Sequence, residues 1–227
     1  MPLPYVSQAM YLGYIIDCRH SNEANVALRS KMARAAFYKV PQQLWTNQCI
    51  PMNVRGNLYR SLVLSIITYG CATWTLLPRE TTHLESVYHR HLRVITERHV
   101  HTTSTPTKQP DGTTMDVLQF HYPQPALLRQ LTDLPAIQDI VRSARLQLAG
   151  EIIRCNDSSP LSWLIEGDQQ QALRGGTPTD WWAIVLEDMR TLNLTIEDAT
   201  SPSLWKTKTK ARRPSRTPRP PSPPAKP

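Results

Sequence analysis

Acidic residues are missing altogether from Lys206 to the C-terminal Pro227, and glycine is scarce in the whole chain, with 8 among 227 residues. So little glycine excludes a collagen-like repeat, and no heptad is sustained long enough for a coiled coil. Cysteine is limited to Cys18, Cys49, Cys71 and Cys155. These show no Cys-x-x-Cys or other metal spacing and are too sparse for a disulfide scaffold, so free thiols are expected. No basic residue precedes Arg19, which argues against a secretory signal; nucleus or cytoplasm is the expected location, and secretion is not. The Asn-x-Ser/Thr matches at Asn156 and Asn193 are then chance. Phosphate-loop, Gly-x-Ser-x-Gly and His-Glu-x-x-His motifs are all missing, and so is adjacent Asp-Asp. Pro110-Asp111 resembles the start of a nuclease motif, but no lysine lies between Lys108 and Lys206 to complete it.

What is present is enough apolar sequence, 40%, for a sizeable core, which excludes a wholly disordered chain. The net charge of +8 is unevenly laid out. Residues 1–100 hold 11 basic and 5 acidic side chains, residues 101–205 hold 7 and 13, and residues 206–227 hold 8 and none. A basic block is a candidate surface for a polyanion, and the acidic middle is not. The 20 prolines keep parts of the chain out of regular structure.

The spacing predicts a mainly α chain. Residues 9–16 are aromatic and β-branched around Gly13 and read as a strand or half of a hairpin. Ser21 or Asn22 caps a first helix running to about Val40, with Arg29, Lys31, Arg34 and Lys39 on its outer face. A second helix follows Pro51, with Leu58, Leu62, Ile66 and Tyr69 in one row and Gly70 as its stop. A third starts near Pro78, with Leu84, Val87, Leu92 and Ile95 inward and Arg90, Arg93 and Arg98 outward. Short connections make these three a small bundle. Periodicity fails from His99 to Pro125, which reads as loop or linker. A fourth helix spans Ala136 to Arg154. A turn at Gly175-Gly176-Thr177-Pro178 leads to a fifth, capped by Thr179 or Asp180 and ending at Arg190. Leu194 to Leu204 adds a further helical turn, and the Pro-rich tail after Trp205 is expected to be disordered.

Three features bear on chemistry. Five histidines fall between His83 and His101, but His89 and His91 point to different faces of a helix, so a polar face is the plainer reading than a metal site. Ser61 to Pro78 is free of charge over a length that just reaches a membrane span, yet its serines, threonines and Gly70 suit a buried core helix better. Lys31, Arg34, Lys39, Arg90 and Arg93 can follow a phosphate backbone, with Trp45, Trp74, Tyr38 and Tyr88 against sugar or base. A solvated helix face over core aromatics is the alternative.

The order of short motifs adds to this. Tyr11-Leu12-Gly13-Tyr14-Ile15-Ile16-Asp17 resembles the Tyr-Leu-Gly strand of non-LTR (LINE-type) retrotransposon reverse transcriptases, which forms the primer grip. Residues 27–37, rich in Arg, Lys and Ala and ending in Phe37, resemble the family's next helix. Tyr69-Gly70-Cys71-Ala72-Thr73-Trp74 resembles its Tyr-Gly-x-Glu-x-Trp signature, and Leu84 to Ile95 its following helix. Leu134-Pro135-Ala136-Ile137, Arg145 to Gly150, Gly175 to Asp188 and Leu204-Trp205-Lys206 are similar, in the same order, to its post-thumb region. Ala72 departs from the family's Glu, Ala149-Gly150-Glu151 from its Gly-His pair, and Arg174-Gly175-Gly176-Thr177 from its basic approach to Gly-Arg-Pro.

The resemblance implies a primer-grip-like strand remnant over 1–20, a thumb-like three-helix bundle over 21–99 and, as its post-thumb region, a second small helical region over 135–205; the lost periodicity leaves a linker over 100–134, and composition a disordered basic Pro-rich tail over 206–227. The resemblance also implies an RNA-directed DNA polymerase whose catalytic palm carboxylates are not among these residues. The segment is therefore not an enzyme on its own and binds no cofactor; Mg2+ belongs to the parent polymerase. What remains is binding of an RNA or DNA primer–template duplex, and of the palm and fingers portion. Tyr11, Gly13, Lys31, Arg34, Lys39, Arg55, Arg90 and Arg93 are the candidate contacts. The tail cluster Lys206, Lys208, Lys210, Arg212 and Arg213 is a candidate for nuclear import or loose nucleic-acid binding. A non-catalytic protein-interaction module is the alternative, and a single-pass membrane protein using Ser61 to Pro78 a more distant one.

Overall fold

The computed structural model describes residues 6–18, 21–108, 114–155 and 181–211. Helices dominate, with two small antiparallel hairpins. In the first, β1 (Gln8–Tyr11) pairs with β2 (Tyr14–Asp17) across Leu12 and Gly13. Both turn residues have positive φ, 47° and 74°, the pattern whose twist matches that of the strands. The free edge of β2 is covered by a side chain. Asn25, buried, accepts from the Ile15 N–H at 2.8 Å and donates to the Ile15 carbonyl at 2.6 Å, as a third strand would.

Three long helical segments follow. They are α1 (Glu23–Lys39), the run α3 (Met52–Tyr59), π turn (Arg60–Leu64) and α4 (Ser65–Ile67), and α5 (Pro78–Ile95). A short α2 (Gln42–Thr46) lies between the first two. Pro78 occupies the first turn of α5, where its missing N–H costs nothing, and Glu80 accepts from the Leu77 N–H at 2.8 Å. Val26, Ala33 and Phe37 of α1 meet Tyr59, Val63 and Ile67 of the second segment and Leu84, Tyr88, Leu92 and Ile95 of α5. The second segment is rotated by one residue from the expected row. Leu62 and Tyr69 are about half exposed, because the 59–63–67 row carries larger and more continuous apolar surface than the row beside it. Gly70, with φ 71°, does end the segment.

Ser61 to Pro78 is not one helix. It breaks into the π turn, α4, a 3-10 turn (Cys71–Thr73) and extended chain. Among the described residues no helix is long and apolar enough to cross a membrane.

The segment read as a linker carries structure. β3 (His101–Lys108) pairs with β4 (Thr114–His121), and α6 (Pro125–Thr132) follows. The threonine-rich β3 satisfies its backbone without the apolar alternation that would have marked it, and in β4 the adjacent Val117 and Leu118 break the alternation. Helix α6 crosses α3 so closely that a Cβ on Gly56 would lie 2.1 Å from the Thr132 carbonyl oxygen. Leu128 of α6, then Leu134, Ile137 and Val141, share the core of the first three segments.

Helix α7 (Ile137–Arg154) runs from this core into a second one. There Leu146 and Ala149 meet α8 (Trp181–Thr191), α9 (Ile196–Thr200) and α10 (Pro202–Thr209) through Val185, Met189, Leu194, Ala199 and Trp205. The helix continues past Trp205 to Thr209, so Lys206 and Lys208 are helical, where a disordered tail was expected. Pro202 starts this helix, Trp205 anchors it, and the Lys208 ammonium reaches Asp198 at 2.7 Å. The Gly175–Pro178 turn, its Thr179/Asp180 cap, and Arg212 and Arg213 lie outside the described residues.

The Trp205 indole crosses α7 at Gly150 and donates to the Leu146 carbonyl at 2.7 Å. A Cβ on Gly150 would lie 2.2 Å from Nε1. Gly150→Ala should therefore lower the unfolding free energy by about 1–3 kcal/mol, against a gain of up to ~1 kcal/mol that alanine brings to an open helix site. Urea denaturation decides the sign: a midpoint that rises would mean the indole is not wedged there.

Candidate nucleic-acid interface

The seam between α1 and α5 is aromatic. The Phe37 ring stacks on His91 at 4.2 Å and on Trp45 at 5.0 Å, both nearly parallel. Tyr59 closes the group edge-on, its hydroxyl 3.0 Å from His91 Nδ1. Burial, then the neighbouring Arg90 and Arg34, push His91 down to about 4. Burial, then Arg129 and Arg93, bring His89 down to about 4 as well. Both imidazoles are neutral at pH 7. The groups that disfavour their charging sit above them: Arg34 on α1, Arg90 and Arg93 on α5, and Arg129 on α6.

These four guanidiniums form a ridge across three helices. Among the described residues none has an acidic side chain at ion-pair distance. Lys31, one turn before Arg34, and Lys39 are exposed on α1, and Arg90 is exposed on α5. Arg93 is half-buried and sits 5.6 Å from the centroid of the Tyr122 ring. Other cations are engaged. Arg79 pairs with Glu23 at 3.1 Å, and Arg142 and Arg145 both reach Asp188, at 3.1 and 2.8 Å.

Arg55 does not belong to this surface. It is 5% exposed, and its guanidinium donates to the carbonyls of Ile50, Trp45 and Ile95 and pairs with Glu97. It joins the ends of α2 and α5 from inside, because the loops there leave carbonyls that nothing else satisfies. Arg29 moves inward too. It donates to the Gly13 carbonyl and lies 4.1 Å from the Tyr69 ring centroid, so it is not on the outer face of α1. Trp45, Trp74 and Tyr88 are core residues, not a platform for bases; only Tyr38 of that set stays exposed. Sequence reasoning missed Arg129 and Tyr122, both inside the supposed linker, where no periodicity marked a face.

Tyr11 and Gly13 stand on the first hairpin, 63% exposed in the case of Tyr11. The hairpin rests on the Tyr69-Gly70 segment. The Tyr69 hydroxyl donates to the Leu12 carbonyl at 2.9 Å, and the Tyr14 ring would lie 3.0 Å from a Cβ on Gly70. That same segment is tied to the second core: Arg145 donates to the Trp74 carbonyl at 2.7 Å and the Trp181 indole to the Ala72 carbonyl at 2.8 Å.

Comparison with protein-family models, curated proteins and solved structures finds no match. Among the described residues no three His, Cys, Asp or Glu side chains converge as metal ligands.

The buried imidazoles set a pH dependence. In the unfolded chain they take up protons near 6.5, in the folded one only near 4, so stability is complete above about 6.5 and drains as pH falls towards 4. For fully buried His91 the loss amounts to about 3 kcal/mol. Denaturant titrations at pH 7 and pH 4.5 should show it in the native chain and a shallower fall in His91→Phe; equal falls in the two proteins would contradict this account.

Proposed function

We propose that this chain binds a nucleic-acid duplex along its phosphate backbone, as the thumb and post-thumb portion of a reverse transcriptase of the non-LTR retrotransposon kind. The carrying observation is the ridge of Arg34, Arg90, Arg93 and Arg129, drawn from three helices and left without acidic partners among the described residues. A protein that neutralises phosphates in this way positions a duplex without reading its sequence. Lys31 and Lys39 extend the charge along α1.

A second observation supports the family part of the reading. The Tyr-Leu-Gly turn and the Tyr69-Gly70 segment, which carry the resemblance at separate places in the sequence, meet through the Tyr69–Leu12 hydrogen bond and Arg29. A hairpin braced from below and exposed at Tyr11 is suited to lie against a strand, and Gly13 permits a close backbone approach. Lys206, Lys210 and the cluster beyond them stand as an import or loose-binding element; Lys208 is engaged by Asp198.

The rival reading, a protein-interaction module, draws on the exposed Met10, Tyr11 and Leu12 at the hairpin tip. Fluorescence anisotropy with a labelled duplex separates the two. Four phosphate contacts give a slope of about −3 to −4 in log affinity against log salt. Reversing Arg34 and Arg90 to Glu should flatten that slope by about 2, whereas Arg79→Glu, which removes a cation already paired with Glu23, should leave it nearly unchanged. Binding without a salt slope, or none in low salt, would sink the proposal.

A further inference from the structure

Beside Arg93 of the ridge, which reaches the Tyr122 ring, a cleft of about 540 Å3 opens at the base of the β3–β4 hairpin. Its size falls within the range of roughly 300–1,000 Å3 typical of small-ligand sites. Arg98, His99, His101 and His121 line it, with Tyr122 at its edge and Leu127 on its apolar side. Glu97 is the one acid in the lining, and its carboxylate is turned to Arg55 at 3.4 Å. Apart from this paired carboxylate the lining is cationic or neutral, and rich in imidazole groups that both donate and accept hydrogen bonds. Tyr122 is 63% exposed, an unusual place for an aromatic ring that serves only packing. Arg93 lies over one face of that ring, and among the described residues no other ring or cation covers the opposite face.

From this juxtaposition we infer that the cleft takes unpaired nucleotides at the end of a bound duplex, with a splayed base stacked on Tyr122 and its phosphates met by Arg93 and Arg98. The inference rests on the duplex-binding reading and says which part of the nucleic acid the ridge delivers here. A backbone that follows Arg34, Arg90 and Arg93 arrives beside Tyr122, since Arg93 belongs to both features. Stacking needs no particular base, and while His121 Nε2 is taken by the Thr103 hydroxyl at 2.8 Å, the imidazoles of His99 and His101 can meet any base edge, so the site selects for unpaired ends and not for sequence.

The test uses the full chain and two labelled duplexes, one blunt and one carrying a three-nucleotide overhang. The overhanging duplex should bind about tenfold more tightly, the effect expected of one stacked base. Tyr122→Ala should bring the ratio of the two affinities to about one, while Tyr122→Phe, which keeps the ring, should preserve it. Tyr122 is exposed, so neither change threatens the fold. Equal affinity of the native chain for both duplexes, with the salt slope intact, overturns this inference alone. So does an overhang preference that Tyr122→Ala leaves in place. Failure to bind either duplex overturns the ridge reading itself.

Discussion

The stack of Phe37 on His91 determines where the surface charges end up. It sets α1 against α5 at one rotation of each helix. Arg34 lies one turn from Phe37 and Arg90 one residue from His91, so the same rotation that buries the rings turns both guanidiniums outward across the seam. A charged imidazole in that position would face two cations without compensation. The cations above and the neutral ring below are thus one arrangement. The ridge is a by-product of a core that tolerates a histidine only while it is uncharged, and acid weakens the core from beneath the ridge.

Three arginines work in the opposite way, from the inside. Arg29 holds the first hairpin by the Gly13 carbonyl, Arg55 gathers the ends of α2 and α5, and Arg145 joins the Trp74 carbonyl to Asp188 of α8. Each replaces a missing backbone partner at a place where the chain turns without regular hydrogen bonding. Guanidinium suits this role because it offers several donors in one plane and keeps its charge when desolvated. Composition does not distinguish such an arginine from one that meets phosphate. Arg55 therefore looked like Arg90 in the sequence, and only its position under three carbonyls separates them.

The legible parts of the fold were those whose apolar spacing had no competitor. In α5 the 84–87–92–95 set is bounded by charged residues, and the predicted face is the buried one. The second helical segment offered two adjacent apolar rows, 58–62–66–69 and 59–63–67, and periodicity alone could not choose between them. Tyr59 decides it by filling the space beside Phe37 and His91, a contact made across 32 residues of sequence. The β3–β4 hairpin was illegible for another reason. Its strands, as far as their side chains are described, face water on both sides, so no burial pattern was there to read. The candidate surface was legible in the five basic side chains Lys31, Arg34, Lys39, Arg90 and Arg93 on α1 and α5, and blank where α6 and Tyr122 complete it.

Charge is segregated along the chain, and folding keeps it segregated in space by using the acids of the second half locally. Asp188 is held between Arg142 and Arg145, Asp139 reaches Arg142 as well, Glu187 pairs with Arg190, and Asp198 accepts from Lys208, whose hydrogen bond keeps that carboxyl below its ordinary range. None of these reaches across to α1 or α5. A surface cation paired with a neighbouring carboxylate has little attraction left for a phosphate, whereas one without such a neighbour acts on a phosphate within a Debye length, about 8 Å in physiological salt. These four acids thus take up Arg142, Arg145, Arg190 and Lys208, and among the described residues no carboxylate pairs with Arg34, Arg90, Arg93 or Arg129. Transferring one carboxylate onto the 31–34–38 face of α1 would quench the ridge more effectively than removing any single arginine from it, because the carboxylate would act on several guanidiniums at once.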